Sequence, residues 1–360
     1  MKRLTLLFIA FTLVSAVVIA QDNQEKEHFT IVKEIPHTPV IDQGSTGTCW
    51  SFTTTSFLES EILRKGFSET RLSMMYFVNY AYLNKAEQFL FYHGNNNFGQ
   101  GGLAHDVMDV LREHGLATYE AFPGKKEDEY KHRELVAQLE QEVRKLNKKR
   151  DDFDASDLSS LEPILKKQLG KLPKNIKTDE GKFSPTELRD QFQLNPDDYI
   201  ELTSYNHHPF YDAFVLEVPD NWSHDLYYNL PIDELMDVMY YALNNGYTVA
   251  WDGDTSEKTF KHKQGKADLP EKQRGKVDQE LRQETFYDRS TTDDHLMHLV
   301  GLSKDSEGRD CFYTKNSWGA DSNDFGGYLH MTDDYVRLKT IAIMVHKDAL
   351  PKEIKEKLGL

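Results

Sequence analysis

Cysteine is scarce. Only Cys49 and Cys311 occur among 360 residues, which excludes a disulfide scaffold and a cysteine-rich zinc site. Positive charge is in deficit: 43 Lys and Arg stand against 59 Asp and Glu, a net charge of −16. Such a chain repels phosphate backbones, so nucleic acid is not expected as a partner. Long apolar runs are missing, with one exception at the amino terminus. What is plentiful is core-forming material. Hydrophobic residues make up 39% and aromatics 12%, which excludes wholesale disorder.

The exception is Leu4 to Ile19, almost wholly apolar, preceded by Lys2 and Arg3 and followed by Ala20 and the polar Gln21-Asp22-Asn23. It is short for a membrane span of ~20 residues. The order basic, apolar, small is that of a secretory signal peptide. Cleavage after Ala20, export to a periplasm or the outside, and no stable membrane insertion afterwards are expected. Residues 21–34 then form a short lead, 35–350 the main domain and 351–360 a tail.

Punctuation by glycine divides the first part of the domain. Cys49 to Lys65 reads as a helix ended by Gly66, and Leu72 to Phe91 and His105 to His114 as two more. Composition changes at Lys125. Lys125 to Asp154 is dense in charge, yet Leu135, Leu139, Val143 and Leu146 keep helical spacing. This predicts an amphipathic helix paired with Leu161 to Leu169. Ile232 to Asn244 is a further helix. Tyr247 to Trp251, His295 to Leu302, Cys311 to Lys315 and Tyr328 to Met331 read as strands. Asp252 to Arg289 is polar and reads as an excursion over the surface. Helices come first and strands last, so the expected class is α+β.

The informative segment is Asp42-Gln43-Gly44-Ser45-Thr46-Gly47-Thr48-Cys49-Trp50-Ser51-Phe52. A cysteine opens a helix just after a glycine-containing turn. The helix amino terminus stabilises a thiolate, which becomes a nucleophile if a base sits beside it. Gln43 can aim its amide at the same point, giving two oxyanion donors with the Cys49 N–H. Fourteen histidines compete for the role of base. His295 opens an apolar strand that is followed by Asn316-Ser317-Trp318-Gly319. Strand alternation puts His295 and His298 on opposite faces, so both cannot serve one site. An asparagine carbonyl can fix the imidazole tautomer, with Trp318 shielding that bond.

Together these elements resemble the papain superfamily of cysteine peptidases: Gln, Cys-Trp six residues on, His with Gly six residues after it (Gly301), then Asn-Ser-Trp-Gly. The resemblance implies a two-lobed fold, one lobe helical and one a β-sheet. It implies Cys49 as nucleophile, His295 as general base and acid, Asn316 as orienting residue and Gln43 as oxyanion donor. Trp50 and Trp318 are packing residues near the site. No cofactor and no metal are implied, and the partners are peptide or protein substrates. Leu72-Ser73 with Tyr76, Gly101-Gly102, His105-Asp106-Val107, Tyr228 to Asp233, Trp251 to Asp254 and Gly327-Tyr328 to Asp333-Asp334 resemble the bleomycin hydrolase and aminopeptidase C branch. There Gly101 and Gly102 correspond to an extended edge beside the substrate, where a side chain would obstruct close approach.

Spacing agrees with that branch. His295 follows Cys49 by about 250 residues, against about 130–150 in ordinary papain-like enzymes. Residues 125–180 and 252–293 are the natural insertions. In bleomycin hydrolases an inserted helical subdomain mediates assembly into rings; here that segment is reduced, which leaves a homo-oligomer open. Thr46 stands where papain has a second cysteine, and no inhibitory propeptide is expected. Family aminopeptidases place a carboxy-terminal arm in the cleft, whereas here the chain ends soon after a short helix. Aminopeptidase action follows from the branch, and endopeptidase action from the shortened arm. A non-catalytic binding protein on the same scaffold is the third reading. Cys311 and His298 read as core. His207-His208, followed by Pro209, reads as loop, since no ligand spacing completes a metal site.

Overall fold

The computed structural model describes residues 28–124, 129–149 and 154–360. The expected signal segment Met1 to Ala20 and its cleavage point lie outside the described residues. Among those described, no helix is long and apolar enough to cross a membrane.

Helix α1 (Cys49–Arg64), α2 (Met74–Phe91), α3 (Ala104–His114), α4 (Arg133–Asn147), α5 (Glu162–Leu169) and α6 (Pro185–Gln191) build one lobe. Each start has a local cause. The Ser73 hydroxyl accepts from the Tyr76 amide at the start of α2. At α3 the Asp106 carboxylate turns back to accept from the Leu103 amide at 2.8 Å. Both satisfy amides that a helix end leaves orphaned. On α4 the stripe Leu135, Leu139, Val143 and Leu146 is buried, and the helix packs on α2 and α5. The charged face points outward, as an amphipathic helix requires.

The other lobe is an 11-stranded sheet. Its strands run in space as Ala213–Val215, Leu226–Asn229, Tyr199–Thr203, Thr340–His346, Val249–Gly253, His295–Lys304, Asp310–Lys315 and Tyr328–Thr332, then two two-residue strands, with Thr30–Glu34 also paired to His295–Lys304. The strands at 199–203 and 340–346 carry no clear marker in the sequence, yet the second lies mid-sheet. Helix α7 (Ile232–Asn244) covers the far face.

Strand alternation separates two cores. Ala250, Leu296, Ala342 and Met344 join the helical lobe's core, while Trp251, Met297, Ile343 and Val345 belong to the core on the other face. Alanine at 250 and 342 leaves room for α1 to lie close on the sheet. At the seam, Lys315 donates to Ser56 Oγ at 2.7 Å and Thr38 Oγ1 at 3.0 Å. Thr38 in turn donates to Glu59, which also accepts from the Leu72 amide at 2.7 Å. Burial pushes Lys315 down to about 8 and Glu59 up, and each charge opposes the other's shift. A buried pair of this kind is tolerated because every charge has a partner.

Residues 252–293 differ from the expected surface excursion. Asp252, Asp254, Ala267, Asp268, Leu269, Arg282 and Gln283 are all buried. Their polarity reflects internal hydrogen bonding: Arg282 donates to the Ser204, Arg337 and Leu338 carbonyls. The carboxy-terminal helix Lys352–Lys357 buries Ile354 and Leu358 in the far-face core, and Lys357 reaches Glu234 on α7 at 2.8 Å. The tail therefore docks on the side of the sheet opposite to Cys49.

Candidate active site

Cys49 is the first residue of α1, at the junction of the two lobes. The preceding Thr48 makes no side-chain capping hydrogen bond, and its carbonyl accepts from the Ser51 and Phe52 amides at 3.0 and 3.3 Å. The same turn is fastened to the sheet, because Thr53 Oγ1 donates to the Leu296 carbonyl at 2.8 Å. Leu296 follows His295, and its backbone N–H is directed at the Cys49 thiol. The residue beside His295 thus meets the sulfur directly.

His295 Nε2 bonds Asn316 Oδ1 at 2.7 Å. That oxygen also accepts from the Ser317 amide at 2.7 Å. The Asn316 Nδ2 faces His262 Nδ1 at 3.4 Å, and His262 Nε2 lies 2.7 Å from Ser322 Oγ. Ser322 Oγ donates to the Gly319 carbonyl at 2.6 Å, so it accepts from the His262 ring. His262 Nδ1 is then the acceptor that fixes which end of the Asn316 amide faces His295. Trp318 covers the group: its ring lies 4.9 Å from that of His295 and 4.7 Å from that of His262. His262 sits in the stretch taken for surface, and nothing in the sequence singled it out from the other histidines.

Gln43 is bound to the same segment. Its backbone N–H donates to the Ser317 carbonyl at 2.8 Å, and its Oε1 accepts from Ser317 Oγ at 2.5 Å. Its Nε2 donates to the Thr46 carbonyl at 2.7 Å, which leaves one N–H over. Ser317 is what ties the Gln43 and Asn316 ends of the site into one unit. Trp50 is buried and donates Nε1 to the Gln100 carbonyl at 2.9 Å. Beside it, a Cβ on Gly102 would lie 2.4 Å from Asp106 Oδ2 and 3.0 Å from the Trp50 ring. A Cβ on Gly101 would lie 1.9 Å from Asp220 Oδ2. Glycine is required there because a carboxylate fills the adjoining space.

Burial sets the resting charge state. It pushes the Cys49 thiol up to about 12, with Asp293, Asp252 and Asp220 adding to the rise. It pushes His295 down to about 4, against the Asn316 bond. Each group alone therefore favours its neutral form.

Elsewhere, His298 is buried and bonds Ser56 Oγ through Nδ1 at 2.8 Å. Cys311 is a free, buried strand residue. His207 and His208 acquire a third group that spacing did not reveal, Glu217, with ligand atoms within 4.8 Å of one another. The carboxylate accepts from the two rings at 3.1 and 2.6 Å, which satisfies all three as a hydrogen-bonded cluster.

Comparison with known proteins agrees with this geometry. Residues 27–177 match the model of the papain family cysteine proteases. Residues 172–359, more than half of the chain, match that of the Peptidase C1-like family. No curated protein matches the chain. A similar solved structure is PepW from Lactobacillus rhamnosis HN001, at 17% identity and a TM-score of 0.74, covering 92% of this chain and 84% of that one.

Proposed function

This chain belongs to the Peptidase C1-like family and is a cysteine peptidase, and from that premise we propose that Cys49, His295 and Asn316 carry the reaction. The observation that supports it most is the continuous set of contacts from Cys49 through Leu296 and His295 to Asn316 and Gln43.

His295 Nδ1 takes the Cys49 proton as the sulfur attacks the peptide carbonyl. Asn316 holds the ring with Nε2–H toward its own oxygen, which aims Nδ1 into the cleft. The remaining Gln43 N–H and the Cys49 amide receive the developing oxyanion. His295 then returns the proton to the leaving amine. A water, deprotonated by the same ring, hydrolyses the acyl-enzyme.

The cleavage mode we propose is aminopeptidase-like. The Asp220 carboxylate occupies the space beside Gly101, which supports a cleft narrowed on that side. We also propose export, on the order of residues in Met1 to Ala20. Paired fluorogenic peptides, one with a free amino terminus and one acetylated, test the mode. The free member is expected to be cut preferentially. Cleavage of both at equal rates makes the enzyme an endopeptidase. Cys49→Ala is expected to abolish turnover and labelling by a thiol-directed epoxide while the thermal melt is retained; persisting turnover overturns the assignment.

A further inference from the structure

Three carboxylates from separate segments lie around Cys49. Asp252 lies in the strand Val249–Gly253, paired across from Leu296. It shares the sheet face of Ala250, Leu296 and Ala342, the face that meets α1. Asp293 stands two residues before His295, with its carboxyl against that of Asp252. Asp220 lies against Gly101, held by Asn97, whose Nδ2 donates to Asp220 Oδ1 and to the Pro219 carbonyl, both at 3.0 Å. All three act electrostatically on the Cys49 sulfur, so all three stand near the reacting atoms.

Their charge is only partly answered from within the protein: Lys85 and Asn97 act on Asp220, and His105 acts on Asp293. Asp252 is 4% exposed and shares a proton with Asp293, carboxyl against carboxyl; beyond that contact neither Asp252 oxygen nor Asp293 Oδ2 has a hydrogen-bond donor. Nearby, the fully buried Tyr205 hydroxyl is also without a partner. None of the nearby cations makes a hydrogen bond to these three carboxylates among the described residues. Lys85 donates to the Gly99 and Gly101 carbonyls. Arg282 donates to three carbonyls through Nε and Nη1, with Nη2 left unpartnered beside the Tyr205 ring, and His105 bonds Glu201 at 2.7 Å. Buried polar atoms left without partners call for an explanation, and a ligand that supplies the donors is one. The supporting loop is fixed in advance. Trp222 Nε1 donates to Asp106 at 3.0 Å, Asn96 donates to the Trp222 carbonyl at 2.7 Å, and Ser223 bonds His105 at 3.0 Å.

We propose that Asp220, Asp252 and Asp293 form an anionic subsite that binds a cation on the substrate just upstream of the scissile bond, either its α-ammonium or the side chain of a lysine or arginine. This rests on Cys49 being the nucleophile. The same carboxylates oppose formation of the Cys49 thiolate, so a cation seated among them also relieves that opposition. Cationic substrates should therefore gain in turnover as well as in affinity.

Four acetylated or free dipeptide coumarins separate the two sources: arginine or the neutral isostere citrulline at the second position, each with and without the acetyl cap. We expect kcat/KM to rise about tenfold for at least one cationic form over acetyl-citrulline, the size of a well-placed charge pair. A gain from the free terminus identifies the α-ammonium, and a gain from arginine identifies the side chain. In Asp220→Asn and in Asp293→Asn, the ratio of cationic to neutral kcat/KM should fall at least threefold. Equal hydrolysis of all four peptides, or ratios unchanged in both variants, overturns the proposal. If no peptide is hydrolysed, the peptidase reading fails separately. Calorimetric titration of the same peptides into Cys49→Ala then reads the subsite alone: cationic preference supports it, and equal affinity refutes it.

Discussion

Replacing His262 with alanine tests how Asn316, proposed to orient His295, is held. Burial pushes the His262 ring down to about 4, so at neutral pH it carries one N–H, and Ser322 takes that one. Nδ1 is left to accept from Asn316 Nδ2 at 3.4 Å. Loss of the ring removes this acceptor and the Trp318 contact at 4.7 Å. The two bonds to Asn316 Oδ1, from His295 and the Ser317 amide, remain. The expected cost is one long neutral hydrogen bond, about 0.5–1.5 kcal/mol. That corresponds to a fall of about twofold to tenfold in kcat/KM. The loss should lie in kcat, since His262 is placed to orient Asn316 and not to touch substrate. His262→Gln, whose carboxamide oxygen can accept, should recover most of it. The assay is hydrolysis of a fluorogenic peptide, with a melting curve for each variant. An unchanged kcat in a folded His262→Ala protein refutes the orienting role. A loss confined to KM refutes it equally.

Other consequences follow from the same geometry. Gln43→Ala should lower kcat about 10²–10³-fold with little change in KM, because an oxyanion donor acts on the transition state. Equal effects on both parameters would contradict that role. Because burial holds His295 neutral down to about 4, the acid limb of kcat/KM should lie well below pH 6.5. A half-maximum at the ordinary histidine value of about 6.5 refutes this. His105→Ala should destabilise the fold by about 3–5 kcal/mol by leaving Glu201 buried without its cation. Chemical denaturation measures it, and a change below about 1 kcal/mol sinks the argument.

Helices were the most legible elements. Ile232 to Asn244 is bounded as its apolar period suggests, and α1 begins at Cys49 where the glycine-containing turn ends. Strands opened by a polar or charged residue and closed by a turn, such as His295–Lys304, were also readable. The stretch 252–293 was misleading. Its charges looked solvated, but Arg282 and Asp268 are buried against backbone carbonyls and arginines. Polarity in sequence reports hydrogen-bonding capacity and does not say whether water or protein fills it.

What the sequence determined by itself is the set of groups proposed to react. Cys49 at a helix start, His295 at a strand start and Asn316 before Ser317-Trp318 are local patterns, because each depends on neighbours a few residues away. The tertiary structure alone decided what stands around them. His262 reaches Asn316 across 54 positions, Ser317 reaches Gln43 across 274, and Asp220, Asp252 and Asp293 meet from three segments. Such contacts depend on how α1 is laid on one face of the sheet and how the later loops close over it. That is a property of packing between distant elements, and the spacing of residues along the chain does not encode it in readable form.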